Sequence, residues 1–263
     1  HPADSEERPI RGSVRVATAV TIVLHELVHL LTGLGFGHPG TLYPFGVTHD
    51  GTMSAGTTAA TAISAPIFSL VTGIVLTLGL PRPPRAGFWH LFLFWLAATS
   101  MMEGAGYLVI TPFGAGDTAA TIEALDLPGW TAYAAAMVGV ALMFFCARLL
   151  APHVSRLSGD DRGRAFALAL HPWWIAMIIN AALALLYVST SSGDFSDGDK
   201  TAIIAAGMAL TALAPMAFIY LKSVAGQART EFELQSVPVA GIIANAAVIA
   251  LNIGLLLPGV YIG

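Results

Sequence analysis

The stretch Ile22-Val23-Leu24-His25-Glu26-Leu27-Val28-His29-Leu30-Leu31 sets two histidines and a glutamate among aliphatic side chains. The apolar run around it reaches from Val14 to Phe36. That is enough helix to cross ~30 Å of hydrocarbon, for which roughly 20 residues suffice. Six further runs have similar length: Ala59–Leu80, Phe88–Ile110, Trp130–Leu150, Ala165–Val188, Thr201–Leu221 and Val237–Leu257. These runs are apolar all round, whereas a helix at a soluble surface alternates apolar and polar faces. Of the 263 residues, 56% are hydrophobic and 11% charged, against about 25% charged in ordinary soluble domains. The sequence therefore predicts an all-α integral membrane protein with about seven transmembrane helices, placed in the plasma (inner) membrane.

Arginine and lysine sort by loop. Arg8, Arg11, Arg15, Arg82, Arg85, Arg148, Arg156, Arg162, Arg164, Lys222 and Arg229 fall on one side of such a threading and Lys200 alone on the other. The positive-inside rule then predicts a cytoplasmic N-terminus and an external C-terminus. Pro81-Arg82-Pro83-Pro84-Arg85 allows only a tight turn, so the second and third helices should be antiparallel neighbours. Gly37–Thr58 and Ser189–Lys200, rich in Gly, Thr, Ser and Asp, read as exposed loops. One polytopic membrane domain over 1–263 is expected. The chain opens on His1 rather than Met, which leaves room for an upstream signal or helix. With so few charges no basic face can hold a nucleic acid. The single cysteine, Cys146, excludes an intrachain disulfide or a cysteine metal cluster.

Residues i and i+4 of a helix share a face, so His25 and His29 can grip one Zn²⁺ while Glu26 serves as general base toward water at the ion. Ionisable groups at membrane depth are costly and are functional by default. Two histidines and a water leave room for a third protein ligand. Glu103 lies about 22 Å along its helix from Phe88 and His29 about 21 Å from Arg15, so the two reach comparable depth. Asp117 is the rival, because Pro112, Gly114 and Gly116 let the backbone re-enter and carry it toward the metal. Asp117 can equally cap the segment Thr118–Leu125. His38, His49 and Asp50 in the first external loop can approach an outward-facing ion, and His49 is a candidate to bind substrate. His90 and His171 read as interfacial, and Asn180, Asn245 and Asn252 as interhelical hydrogen bonders.

His25-Glu26-Leu27-Val28-His29, Ala65-Pro66-Ile67-Phe68-Ser69-Leu70-Val71-Thr72-Gly73, and Glu103-Gly104-Ala105-Gly106-Tyr107 leading to Gly116-Asp117 together resemble the site-2-protease-like intramembrane zinc metalloproteases. The resemblance spans about Val14 to Leu127. It implies a metalloprotease-like core over 14–127, built of three helices and a re-entrant loop, followed by a four-helix membrane portion over 128–263. It implies that Asp117 is the third zinc ligand and that Glu103, standing where the family has Asn, helps hold substrate. The family's Leu-Asp-Gly is replaced here by Gly116-Asp117-Thr118. The expected activity is that of a zinc-dependent membrane endopeptidase whose partners are the bilayer and a membrane-protein or membrane-peptide substrate. Two alternatives stand beside it: a membrane zinc hydrolase acting on a lipid, and a non-catalytic metal-binding membrane protein or transporter. Transport would be expected to show inverted repeats, and none is visible.

Overall fold

The computed structural model describes residues 2–159, 230–232 and 239–263, with isolated positions between 161 and 189, and side chains from 13 onward within those limits. The expected helices over 165–188 and 201–221 lie outside the described residues, apart from those isolated positions, as do Arg162, Arg164, His171, Asn180, Lys200, Lys222 and Arg229.

The protein is mostly helical. Helix α1 covers Pro2–Gly35, α2 Ala55–Gly79, α3 Phe88–Ile110, α4 Asp117–Ala124, α5 Trp130–Ser158 and α6 Val239–Ile249, the last continuing as a π-helical turn over Ala250–Leu256. Among the described residues, five helices are long and apolar enough to cross a membrane: α1 from Ser13, α2, α3 with its 3₁₀ extension to Phe113, α5, and α6 with its π turn.

Helix α3 is the hub of the packing. It is buried along most of its length, whereas α2 and α5 are largely exposed. Its Leu91, Phe94, Trp95 and Met101 interlock with Val14 and Ala17 of α1 and with Cys146, Leu150 and Val154 of α5. Small residues bring α2 and α3 together. A methyl group on Gly73 would fall 2.5 Å from the Met101 nitrogen, and one on Gly104 2.6 Å from Leu70 Cβ and from the Pro66 carbonyl. Without hydrocarbon-to-water transfer to drive association, such close backbone approach is how membrane helices gain dispersion energy. Between α1 and α3 the hydroxyls of Thr21 and Thr99 meet at 2.7 Å.

The stretch expected as an exposed loop after α1 is instead an antiparallel hairpin, β1 (Gly40–Tyr43) and β2 (Gly46–His49). Strand β5 (Val260–Ile262), just after α6, adds to its other edge with Gly40 opposite Ile262 and Leu42 opposite Val260. Leu42 is buried against Leu30 of α1 and Leu256. The small sheet thus sits over the end of the helix that carries the histidines. A second short pairing joins β3 (Arg85–Ala86) in parallel to β4 (Glu231–Phe232) beside the proline turn.

Candidate metal centre

His25 and His29 project from one face of α1, and both are nearly inaccessible at 1% and 8% exposure. The chain reaches the facing wall by a sharp reversal. After α3, Thr111–Phe113 forms a 3₁₀ turn, Gly114 takes a left-handed φ of 69° and Gly116 a φ of 80°. At Gly116 a side chain would also collide with the Tyr107 ring. Helix α4 then starts at Asp117 with Gly116 as its cap, and the Asp117 carboxylate faces the imidazoles rather than capping backbone. Asp117 Oδ2 lies 2.9 Å from His25 Nε2 and 3.2 Å from His29 Nε2, and the two Nε2 atoms are 3.1 Å apart.

The other faces of the imidazoles fix their tautomers. The His29 Nδ1–H donates to the Thr61 carbonyl at 2.8 Å, since a carbonyl can only accept. His25 Nδ1 lies 3.3 Å from Glu103 Oε2 and 3.4 Å from Ser69 Oγ. The Ser69 hydroxyl gives its own hydrogen to Glu103 Oε2 at 2.6 Å, so the hydrogen between ring and carboxylate belongs to His25 Nδ1. With hydrogens on both Nδ1 atoms, two bare Nε2 lone pairs and a carboxylate oxygen converge on one point. Such a set calls for a cation.

The donor chemistry fits a divalent ion. With bonds of ~2.0–2.1 Å to nitrogen and oxygen, tetrahedral coordination places neighbouring ligand atoms about 3.3 Å apart, within a few tenths of an ångström of the separations here. His25, His29 and Asp117 are the one group among the described residues that could hold a metal ion.

Of the two carboxylates proposed from sequence as third ligand, Asp117 is the one brought to the Nε2 atoms. Glu103, 3% exposed, meets His25 from the opposite nitrogen. Glu26 is buried beside the pair at 9% exposure. His49 is not in the group. Its ring lies over Gly33, one turn beyond His29, where a side chain at 33 would displace it. Burial pushes its imidazole below the ordinary value. His38 Nδ1 pairs with the Asp50 carbonyl at 3.2 Å, while the Tyr261 hydroxyl donates to Asp50 Oδ2 at 3.1 Å, so these residues tie the sheet together. His90 and His153 belong to the other end of the helices, where His153 Nε2 donates to the Thr77 carbonyl at 3.1 Å. Asn245 and Asn252 donate to backbone one turn earlier in their own helix.

Sequence reasoning gave no role to Thr61, Ser69 or Tyr107. The Tyr107 ring stacks on His25 with centroids 5.0 Å apart and planes 12° from parallel. Its position four residues after Glu103 was the available signal, because that spacing places both on one face of α3. Compared with known proteins, the chain matches no family model, no curated protein and no solved structure.

Proposed function

We propose that the protein is an intramembrane zinc metalloprotease of the site-2-protease type, hydrolysing peptide bonds of membrane-embedded or juxtamembrane substrates. The observation that carries the reading is the convergence of His25 Nε2 and His29 Nε2, on a helix apolar enough to span a bilayer, with Asp117 Oδ2 from the short helix that follows α3, beside a buried glutamate. His25, His29 and Asp117 would hold a zinc ion, which would act as a Lewis acid and lower the pKa of water toward ~7. Glu26, one residue from a ligand and shielded from bulk solvent, takes the proton from the attacking water and returns it to the amine that leaves. Glutamate is suited to both transfers because it is the only buried carboxylate of the cluster not already engaged by an imidazole. Apolar walls keep competing water away from the reacting bond. The substrate segment must be unwound where it is cut, since a helical peptide group has its carbonyl tied to the backbone.

The same reading places the protein in the plasma membrane with about seven spans, the N-terminus cytoplasmic and the centre toward the external face. Residues 14–127 form the catalytic core, and 128–263 form an additional helical portion.

The test is purification in detergent, metal analysis, and incubation with transmembrane peptides and with lipid amides. Stoichiometric zinc and chelator-sensitive peptide cleavage are expected. Cleavage of the lipid amide alone would replace the peptide substrate, and a metal-free protein would end the proposal.

A further inference from the structure

Glu103 is a carboxylate buried at membrane depth whose contacts are directed at a ligand rather than at the metal position. Its Oε2 accepts from Ser69 of α2 at 2.6 Å and lies 3.3 Å from His25 Nδ1. His29 has a different support, the neutral Thr61 carbonyl at 2.8 Å. The two imidazoles are therefore held unequally, one by a charge-bearing group and one by a peptide dipole.

The geometry points to Glu103 as the positioning residue of the metal centre. With Ser69 it fixes His25 with hydrogen on Nδ1 and the lone pair on Nε2, and it supplies a second negative group alongside Asp117 to match a divalent ion. This rests on the metalloprotease reading only in taking the cluster to bind a metal. A carboxylate behind a histidine ligand raises the basicity of the nitrogen that binds and locks the ring's orientation, and loss of such a partner typically costs 10–100-fold in metal affinity. Two features restrict the alternatives. Ser69 donates to the same oxygen that faces His25, which holds the carboxylate from turning away. Tyr107, one turn along α3, stacks on the His25 ring at 5.0 Å, so carboxylate and phenol from one helix face fix the ring in two directions.

In this role Glu103 acts behind a ligand rather than as one. Its effect should appear in metal affinity without a change in the set of coordinating atoms. The experiment is titration of the full chain in detergent with Zn²⁺ and with Co²⁺ against a competing chelator, for wild type, Glu103→Gln and Ser69→Ala, with absorption spectra of the Co²⁺ forms. Glu103→Gln keeps the side chain's size and a hydrogen-bond acceptor but removes the charge. Expected is a 10–100-fold weaker Kd for Glu103→Gln with Co²⁺ bands at wild-type positions and intensities, and a smaller loss for Ser69→Ala, which retains the carboxylate. Wild-type affinity in a folded Glu103→Gln would overturn the assignment. So would altered Co²⁺ bands in that variant, which would make Glu103 a ligand. If wild type itself binds neither ion, the metal reading of the whole cluster fails, an outcome distinct from either.

Discussion

Glu26 offers the cleanest separation of chemistry from metal binding. Glu26→Gln keeps volume and hydrogen bonding but cannot accept a proton. Peptide hydrolysis should fall by on the order of 10²–10⁴, the usual worth of a positioned acid–base group, while zinc content per mole of protein stays at the wild-type value. Emptying of the site in this variant would make Glu26 a ligand and end its role as base. Gly116→Ala tests the turn that delivers Asp117. At φ 80° and ψ 175° the position belongs to the region that only glycine occupies without strain, at a cost of roughly 1–3 kcal/mol for other residues. The added methyl also runs into Tyr107. Weaker zinc binding together with a lower thermal midpoint is expected, and unchanged binding would show that the turn does not set the ligand. His25, Glu26 and His29 were legible from sequence because their relation is local, fixed by 3.6 residues per turn. The resemblance pointed to Asp117, but which carboxylate meets Nε2 and which meets Nδ1 was not legible from spacing. That depends on the rotation of α3 about its axis and on a reversal at two glycines, and neither leaves a periodic signal.

At the scale of elements, the contact of α2 with α3 is what brings Ser69 to Glu103, and Gly73 and Gly104 permit it. Gly104→Val should push the helices apart, destabilise the protein by about 1–3 kcal/mol as overpacking does, and weaken metal binding as well. Gly79, with open space around its would-be Cβ, is the control, and Gly79→Val should leave metal affinity unchanged. Thermal unfolding and zinc titration of both variants check this. Equal behaviour would refute the close-packing argument. The limits of α3 follow directly from hydropathy, since Phe88–Ile110 is the apolar run itself. Helix α1 runs back to Pro2, beyond the apolar run, where hydropathy carries no signal. The hairpin was missed for a different reason. Strands of four residues bounded by Gly, Pro and His show no sustained alternation, and the third strand, which sets Ile262 opposite Gly40, lies at the far end of the sequence.

At the scale of the molecule, broad apolar surfaces are exposed among the described residues. Ile67, Val71, Val75 and Leu78 of α2 are 54%, 53%, 60% and 65% exposed, and Met137 of α5 is 73% exposed. Exposed stripes of this extent belong against lipid or another helix. The proposed threading can be tested because the one native cysteine, Cys146, is buried. In intact cells Thr52→Cys should react with a membrane-impermeant maleimide, and Arg82→Cys only after permeabilisation. The reverse pattern would invert the orientation drawn from the arginines.

The sheet that spans β2, β1 and β5 also has a history in time. Every proposed ligand and its supporting groups lie between Thr61 and Asp117 or on α1, so the centre can form as soon as α4 leaves the ribosome. Strand β5 emerges roughly 140 residues later, which at ~5–20 residues per second is about 7–28 s of further synthesis. For that interval the hairpin over the histidines has one edge of β1 unpaired. Whatever protects a nascent membrane chain must therefore shield this edge until the final strand arrives.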